Sequence, residues 1–148
     1  MGLSHAQHQY QGPANGDVLA AISSRIVHLH KEFYGKGPTK ARTYYIGDVV
    51  TVLLRGGFTK VEQTLLDEGR GSDVIEQRMA FQEVMRDRFT EAIEELTGRR
   101  VAAFMSGSHQ DPDLIAEVFV LEPNELTADD PDDSPDRSPA GEDEKGGR

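Results

Sequence analysis

The chain has 148 residues, which is enough for one domain with a tail. It carries 26 acidic and 16 basic residues, so its formal net charge is −10 at pH 7. This charge disfavours a general nucleic-acid-binding role, because a protein that neutralises phosphates needs a basic face. The chain has no cysteines, which excludes disulfides, thiolate catalysis and cysteine-ligated metal sites.

Hydropathy gives no sign of a membrane segment. The longest strongly apolar run covers residues 49–54, far fewer than the roughly 20 residues that a spanning helix requires. The first 16 residues are polar and contain no apolar stretch typical of a secretory signal. The sequence therefore predicts a soluble, cytoplasmic protein with no direct membrane span.

The C-terminal part differs in composition from the rest. Residues 122–148 contain ten acids and three bases, so they carry −7 of the net charge of −10. Ordering one residue costs about 1–2 kcal/mol, and little besides Leu126 offers apolar surface in return. We predict a disordered N-terminal segment over residues 1–15, a folded domain over 16–121 and an acidic disordered tail over 122–148. Either an interaction segment or a solubilising extension fits the tail.

The first predicted element is a helix over residues 17–34. Its apolar residues recur at spacings of three and four, which places them on one face: Leu19, Ile22, Ile26, Leu29 and Phe33. Gly35 stands where a left-handed cap ends a helix, and Pro38 prevents continuation.

A β-hairpin follows, with strands over residues 42–46 and 49–54. Both strands are rich in β-branched and aromatic residues, and Gly47-Asp48 suits a two-residue turn between them. The second strand is apolar on both faces. It is therefore predicted to lie inside a sheet that is covered on each side.

The next segment contains two helices. Thr59 and Glu62 form a capping box for a short helix that runs to residue 68. Gly69 and Gly71 separate it from a long helix over residues 72–97, which Gly98 closes.

Two further strands are predicted over residues 100–106 and 114–121, joined by a loop over 107–113. The element order is α-β-β-α-α-β-β. This order favours an α+β fold of two layers, in which helices lie mainly on one face of an antiparallel four-stranded sheet.

The long helix has more apolar surface than one sheet contact needs. Its apolar residues span over half the helical wheel, whereas a helix on one sheet needs a stripe of roughly 100–140°. The first helix or a second subunit are the candidates to cover the surplus, and a homo-oligomer is expected. The candidate interface residues are Arg78, Phe81, Gln82 and Val84. For Arg78 we favour a stem lying on the core with its charged end in water over an ion pair with a partner's acid.

One loop is a candidate anion site. Two glycines and three positive charges lie together in an otherwise acidic chain, and they can hold a phosphate, carboxylate or bicarbonate: Gly35, Lys36, Gly37, Lys40 and Arg42. A simple helix cap followed by a turn with solvated lysines is the other interpretation, and we favour it.

Catalytic and metal motifs are absent from the pattern of residues. No serine lies in a nucleophile elbow, and no histidine pair in residues 16–121 has the spacing of a metal site. His109 with Asp111 and Asp113 is more simply interpreted as a turn. We therefore predict no catalytic residues, no metal, no cofactor and no enzymatic activity.

Four ordered stretches resemble one small bacterial family. They are Phe33-Tyr34-Gly35-Lys36-Gly37-Pro38, the segment Leu53-Leu54-Arg55-Gly56-Gly57-Phe58-Thr59-Lys60-Val61-Glu62-Gln63-Thr64-Leu65-Leu66, Glu94-Glu95-Leu96-Thr97-Gly98-Arg99-Arg100-Val101, and Val118-Phe119-Val120-Leu121. Together they resemble the MpsC-like family, a component of a Na+-translocating membrane-potential-generating system. Phe58 departs from the Leu that this family has before the Thr.

The resemblance implies a role without catalytic residues. It implies a non-catalytic accessory or regulatory domain that acts through protein contacts, with a membrane transport complex as a partner. An anion-binding sensor that uses residues 35–42 is the alternative. A chain with no spanning segment cannot itself move ions across a bilayer.

Overall fold

A computed structural model describes residues 16–124. Seven elements follow one another, with bounds α1 Gly16–Tyr34, β1 Lys40–Ile46, β2 Val49–Arg55, α2 Lys60–Asp67, α3 Gly71–Thr97, β3 Val101–His109 and β4 Leu114–Leu121. The α+β class and the element order are as predicted. The predictions for residues 1–15 and for most of the acidic tail, residues 125–148, lie outside the described residues.

The four strands form one antiparallel sheet in the order β1-β2-β4-β3. This order places β2 and β4 inside the sheet and makes β1 and β3 its edges. The predicted end of β3 at Ser106 was wrong, because Gly107, Ser108 and His109 continue the pairing with β4. The connection to β4 is correspondingly shorter.

The core lies between one face of the sheet and the two long helices. Val50, Val52 and Leu54 of β2 are at most 1% exposed, and they pack with apolar side chains of α1, α3 and β4, including Ile22, Ile26, Phe89, Ile93 and Phe119. The prediction that helices lie mainly on one face is confirmed. The prediction that both faces of β2 are covered is wrong for the described residues, because Val49 is 41% exposed on the other face.

The sequence signals at the helix ends also hold. The Thr59 hydroxyl accepts a hydrogen bond from the Glu62 backbone, and the Glu62 carboxylate accepts one from the Thr59 backbone at 2.9 Å, which confirms the capping box. Gly98 ends α3 at φ 68°, in the left-handed region that favours glycine.

Candidate functional site

The largest group of buried charges is centred on Arg78, which is 2% exposed. Its Nε donates to the Glu62 carboxylate at 2.8 Å, and its Nη1 donates to the Asp113 carboxylate at 3.0 Å. The guanidinium also lies over the Phe58 ring, 4.3 Å from the centroid. The Tyr34 hydroxyl donates to Glu62 at 2.5 Å. We call Arg78, Glu62, Asp113 and Tyr34 the ion cluster.

The ion cluster fixes the charge states of its members. Burial alone would raise the pKa of Glu62, but the hydrogen bonds from Arg78 and Tyr34 outweigh it and hold that pKa below its usual value. Burial, and then the Glu62 carboxylate, raise the pKa of the Tyr34 hydroxyl. The cluster therefore keeps Glu62 ionised and Tyr34 protonated, and neither group is set up to exchange a proton near neutral pH.

The expectation that the charged end of Arg78 lies in water was wrong. The physical reason is that α2 and the turn before β4 bring two carboxylates to the guanidinium, which satisfies the charge inside the fold. Both acids belong to the same chain, so Arg78 needs no partner subunit. The cluster joins α1, α2, α3 and the turn before β4, which is a structural role.

A second buried polar pair lies deeper in the core. His30 of α1 is 3% exposed and Glu117 of β4 is fully buried, with His30 Nε2 3.8 Å from Glu117 Oε1. The His30 Nδ1 atom lies 2.9 Å from the Ile26 carbonyl. Since a carbonyl only accepts, Nδ1 carries the proton and Nε2 presents its lone pair to Glu117.

Burial governs the charge of this pair. It lowers the pKa of His30, and it raises the pKa of Glu117 to about 8, an effect that the side chains of Ser106 and Gln82 partly oppose. Both groups are therefore neutral at physiological pH. Neither Glu117 carboxyl oxygen makes a well-aligned hydrogen bond within residues 16–124, so burying this carboxyl costs folding free energy.

The candidate anion residues do not converge on one point. The Lys36 amine donates to the Phe58 carbonyl at 3.0 Å. The Arg42 guanidinium lies over the Tyr44 ring, 5.2 Å from its centroid. Lys40 is the first residue of β1, and its backbone lies opposite that of Arg55 on β2. Gly35 and Gly37 form the turn after α1, and Gly35 has φ 90°. Anion binding by residues 35–42 stays a prediction.

The cavities around the buried polar groups are small. One, bounded by His30, Lys36 and Arg78 among others, has a volume of about 10 Å³, which is the lower limit for one water molecule. A groove between α3 and β3, lined in part by Gln82, Arg86 and Met105, has about 160 Å³. Both fall below the roughly 300 Å³ of a typical small-molecule site.

The surplus apolar surface of α3 is divided between two places. Phe81 packs against α1, with its ring 4.6 Å from that of Tyr34 and 5.7 Å from that of His30. Gln82 is buried. Val84 is 70% exposed, on the solvent side of the helix. Contact with α1, the first of the two predicted covers of the surplus apolar surface, accounts for Phe81. A subunit interface at the four candidate residues, Arg78, Phe81, Gln82 and Val84, stays a prediction.

Another uncovered apolar surface lies on the sheet. The strand register places sixteen residues on the face opposite α1 and α3, in four rows of four, and we call this surface the open face. From one end of the sheet to the other, its rows are Ile46-Val49-Val120-Ala103, Tyr44-Thr51-Val118-Met105, Arg42-Leu53-Ala116-Gly107 and Lys40-Arg55-Leu114-His109.

The open face is divided into an apolar and a basic half. The first two rows form the apolar half, where Ile46 is 71%, Met105 55%, Tyr44 42% and Val49 41% exposed. The last two rows form the basic half, with Lys40, Arg42 and Arg55. None of the sixteen positions is acidic, in a chain whose net charge is −10. The open face thus combines exposed apolar side chains with an excess of positive charge.

Two features of the site escaped the sequence interpretation. Ile115, Glu117 and Phe119 occupy alternate positions of β4 that face the core. A carboxyl at such an inward position was the sequence signal for a buried acid. The open face was hidden because β2 is apolar on both sides, which predicted a second cover.

Comparisons with known proteins add a family and one relative. The family model described as "Na+-translocating membrane potential-generating system (MpsC)" matches residues 14–123. An uncharacterised protein of Bacillus subtilis (strain 168), YrhF, is 24% identical over 99 residues, which cover 66% of this chain and 81% of the relative. No solved structure matches. Within residues 16–124, no helix is long and apolar enough to cross a membrane.

Proposed function

Because the chain belongs to the MpsC family, we propose that it is a non-catalytic accessory or regulatory subunit of a membrane-potential or Na+ transport system. In this proposal the chain is cytoplasmic and acts by binding another protein. The family description associates its members with such a system. The observation that carries the proposal is the open face of the sheet.

The open face has the properties of a protein-binding surface. Its apolar half leaves four large side chains 41–71% exposed within two neighbouring rows of the sheet, on β1, β2 and β3, whereas scattered single apolar residues are the ordinary case on a protein surface. The strands beneath them are paired and rigid, so little ordering is needed when a partner binds.

The buried polar groups support a binding role over a catalytic one. Arg78, Glu62 and Asp113 satisfy one another inside the fold. His30 of α1 and Glu117 of β4 face each other in the core, 3% and 0% exposed. Catalysis requires that a nucleophile, its base and a substrate cleft meet at one accessible point. The buried polar side chains of this fold instead pack in the core and pair with one another.

The experiment compares two matched surface changes in cells. In a strain that lacks the gene, membrane potential is measured with a potential-sensitive dye in sodium and in potassium medium after complementation. We expect Ile46→Glu, at a position 71% exposed on the open face, to fail to restore the sodium-dependent potential. Val61→Glu, at a position 64% exposed on α2 and outside the open face, should restore it.

Two controls make the result decisive. Immunoblots must show equal amounts of both variants, and their purified forms must unfold at the same urea concentration, since both substitutions are at exposed positions. If Ile46→Glu restores the potential as well as the unchanged chain does, the open face is not the working surface. If deletion of the gene leaves the potential unaltered, the association with a membrane-potential system is wrong.

A further inference from the structure

We propose that two copies of the chain pair along their β3 strands about a two-fold axis at Ser106, which joins their four-stranded sheets into one continuous sheet. The contact uses the free edge of β3 rather than the open face, so it goes beyond the proposed function. The axis is perpendicular to the sheet and does not exchange its faces. The two open faces therefore lie on the same side of the joined sheet.

β3 is the less protected of the two edge strands. Seven of its nine residues are exposed, and its only ionisable side chain belongs to His109, at its last position. Edge strands of natural proteins usually carry charged residues, proline or a cover that prevents pairing with another chain. The other edge strand, β1, contains Lys40 and Arg42. Its Thr43 is buried, and the Thr43 hydroxyl lies 2.7 Å from that of Ser23 on α1.

The strand register shows which backbone groups face the free edge of β3. Leu121 of β4 donates to the Asp48 carbonyl, on the side of β2. The backbone groups of successive residues alternate between the two edges of a strand, so Val118 faces β3 and bonds to its partner Met105. Three alternate residues of β3 therefore direct their N–H and C=O groups away from the sheet: Phe104, Ser106 and Ser108.

A second copy in antiparallel orientation satisfies these outward groups. In a pair centred on Ser106, the two Ser106 residues lie opposite each other, and each Phe104 lies opposite Ser108 of the other copy. Each of these three pairs exchanges two backbone hydrogen bonds, which gives about six in all. The bulge of β3, between Val101 and Ala103, lies outside this paired part.

The side chains make β3 complementary to itself. The alignment on Ser106 places Met105, which is 55% exposed, opposite Gly107 of the second copy on the open face. On the other face, Phe104 lies opposite Ser108. A Cβ added at Gly107 meets no atom of its own chain within 4 Å, so this position has room for the Met105 side chain. Because each large residue meets a small one, the strands can pair at about 4.8 Å without overlap. This order favours a second copy over an unrelated strand.

α3 adds apolar surface beside the joined strands. Arg78 donates to the Ser108 hydroxyl at 3.4 Å, and Arg86 donates to the Phe104 carbonyl at 3.4 Å. These contacts show that α3 runs antiparallel to β3 and alongside it. Met79 lines the groove between them and is 65% exposed. In the two-fold pair, Met79 lies level with Arg86 of the second copy, whose aliphatic stem offers it an apolar contact.

The contact area is sufficient for a reversible dimer. The seven residues from Ala103 to His109 give a paired edge about 24 Å long. With a sheet and one helix layer roughly 20 Å thick, each copy contributes about 500 Å². The total of about 1,000 Å² is at the low end for specific interfaces. We therefore expect dimers that dissociate on dilution rather than a permanent assembly.

The first test is analytical ultracentrifugation of the full-length chain through the micromolar concentration range. We expect reversible association to twice the chain mass of 16.3 kDa. Gly107→Glu fills the space that Met105 of the second copy needs and should raise the dissociation constant at least about tenfold. Ile46→Glu, on β1, should leave it unaltered. An unchanged chain that stays monomeric throughout, or equal effects of the two variants, overturns the proposal.

Cysteine pairing tests the alignment with variants that do not block association. The chain has no cysteine of its own. Residues 105 and 107 of opposite copies form a pair with Cα atoms about 4.5 Å apart, within the range of a disulfide. A mixture of Met105→Cys and Gly107→Cys should therefore form a disulfide-linked dimer, and either variant alone should form several-fold less. No product in the mixture, or an equal product from Met105→Cys alone, overturns the alignment on Ser106.

Hydrogen exchange identifies what covers the edge. The amides of Ser106 and Ser108 in the unchanged chain should exchange slowly at high concentration and faster on dilution. Protection that does not change with concentration would show that another part of the same chain covers β3, which overturns pairing with a second copy. None of these measurements uses the membrane potential, so this proposal and the proposed function fail separately.

Discussion

Replacing Glu117 with Gln removes a carboxyl that the fold buries without a well-aligned hydrogen bond within residues 16–124. Glu117 is fully buried, and its pKa is about 8 rather than 4.5. Between these two values the folded protein keeps a proton that the unfolded chain has released. The free energy of unfolding must therefore fall as pH rises from 4.5 to 8, and it levels off above 8, where both states are ionised.

The size of this effect follows from the two pKa values. At about 1.4 kcal/mol for each pH unit, the fall amounts to ~5 kcal/mol over the whole range, of which ~3 kcal/mol are lost by about pH 7. Gln has nearly the same shape and does not titrate. Glu117→Gln should therefore have little effect near pH 4.5 and stabilise the fold increasingly up to pH 8.

The assay is urea unfolding followed by circular dichroism at a series of pH values from 4.5 to beyond 8, for the unchanged chain and for Glu117→Gln. Glu91→Gln, at an exposed position of α3, is the matched control and should show the pH dependence of the unchanged chain. If the curves for the unchanged chain and Glu117→Gln are parallel across this range, burial does not hold the proton on Glu117.

Three further stability predictions use the same assay. Arg78→Leu leaves the buried Glu62 carboxylate and the partly buried Asp113 carboxylate without their cation and should cost about 3–5 kcal/mol. Arg70→Ala breaks a pair that is 65% and 37% exposed and should cost at most about 1 kcal/mol. Burial lowers the pKa of His30, so stability is lost as pH falls below 6.5; His30→Phe should reduce that loss, and an unchanged slope would refute it. Thr59→Ala should cost about 0.5–2 kcal/mol by removing the cap, and a cost near zero would contradict the role of the cap.

The element order was predictable because each element has a sequence signal within its own residues or those next to it. The three-and-four spacing in α1, the Gly47-Asp48 turn and the capping box at Thr59 each depend on neighbours within one turn or one hairpin. The resemblance to the family added ordered motifs over the same span, and the match to residues 14–123 confirms it.

The interior polar contacts were not predictable in this way. Arg78 pairs with Glu62 and Asp113, which are 16 and 35 residues away in sequence, and only the packing of α2 and of the turn before β4 brings them together. The sequence showed an arginine inside an apolar arc, which signals a buried charge but does not identify its partner. Glu62 was assigned to the capping box alone, although its carboxylate serves both contacts.

The open face was mispredicted for a related reason. A strand that is apolar on both sides needs a cover on each side, and the periodicity of β2 cannot say whether that cover belongs to residues 16–124, to the segment after them or to another protein. Only the strand register shows that Arg42, Tyr44, Thr51 and Val118 share one surface.

The most direct test of the open face as the working surface is site-specific cross-linking in cells. A photoreactive amino acid is placed at Ile46 in one strain and at Val61 in another, since these side chains are 71% and 64% exposed and Val61 lies on α2, outside the open face. We predict a discrete cross-linked product in the membrane fraction from position 46 and none from position 61. A product from position 61 alone, or equal products from both, would contradict the account.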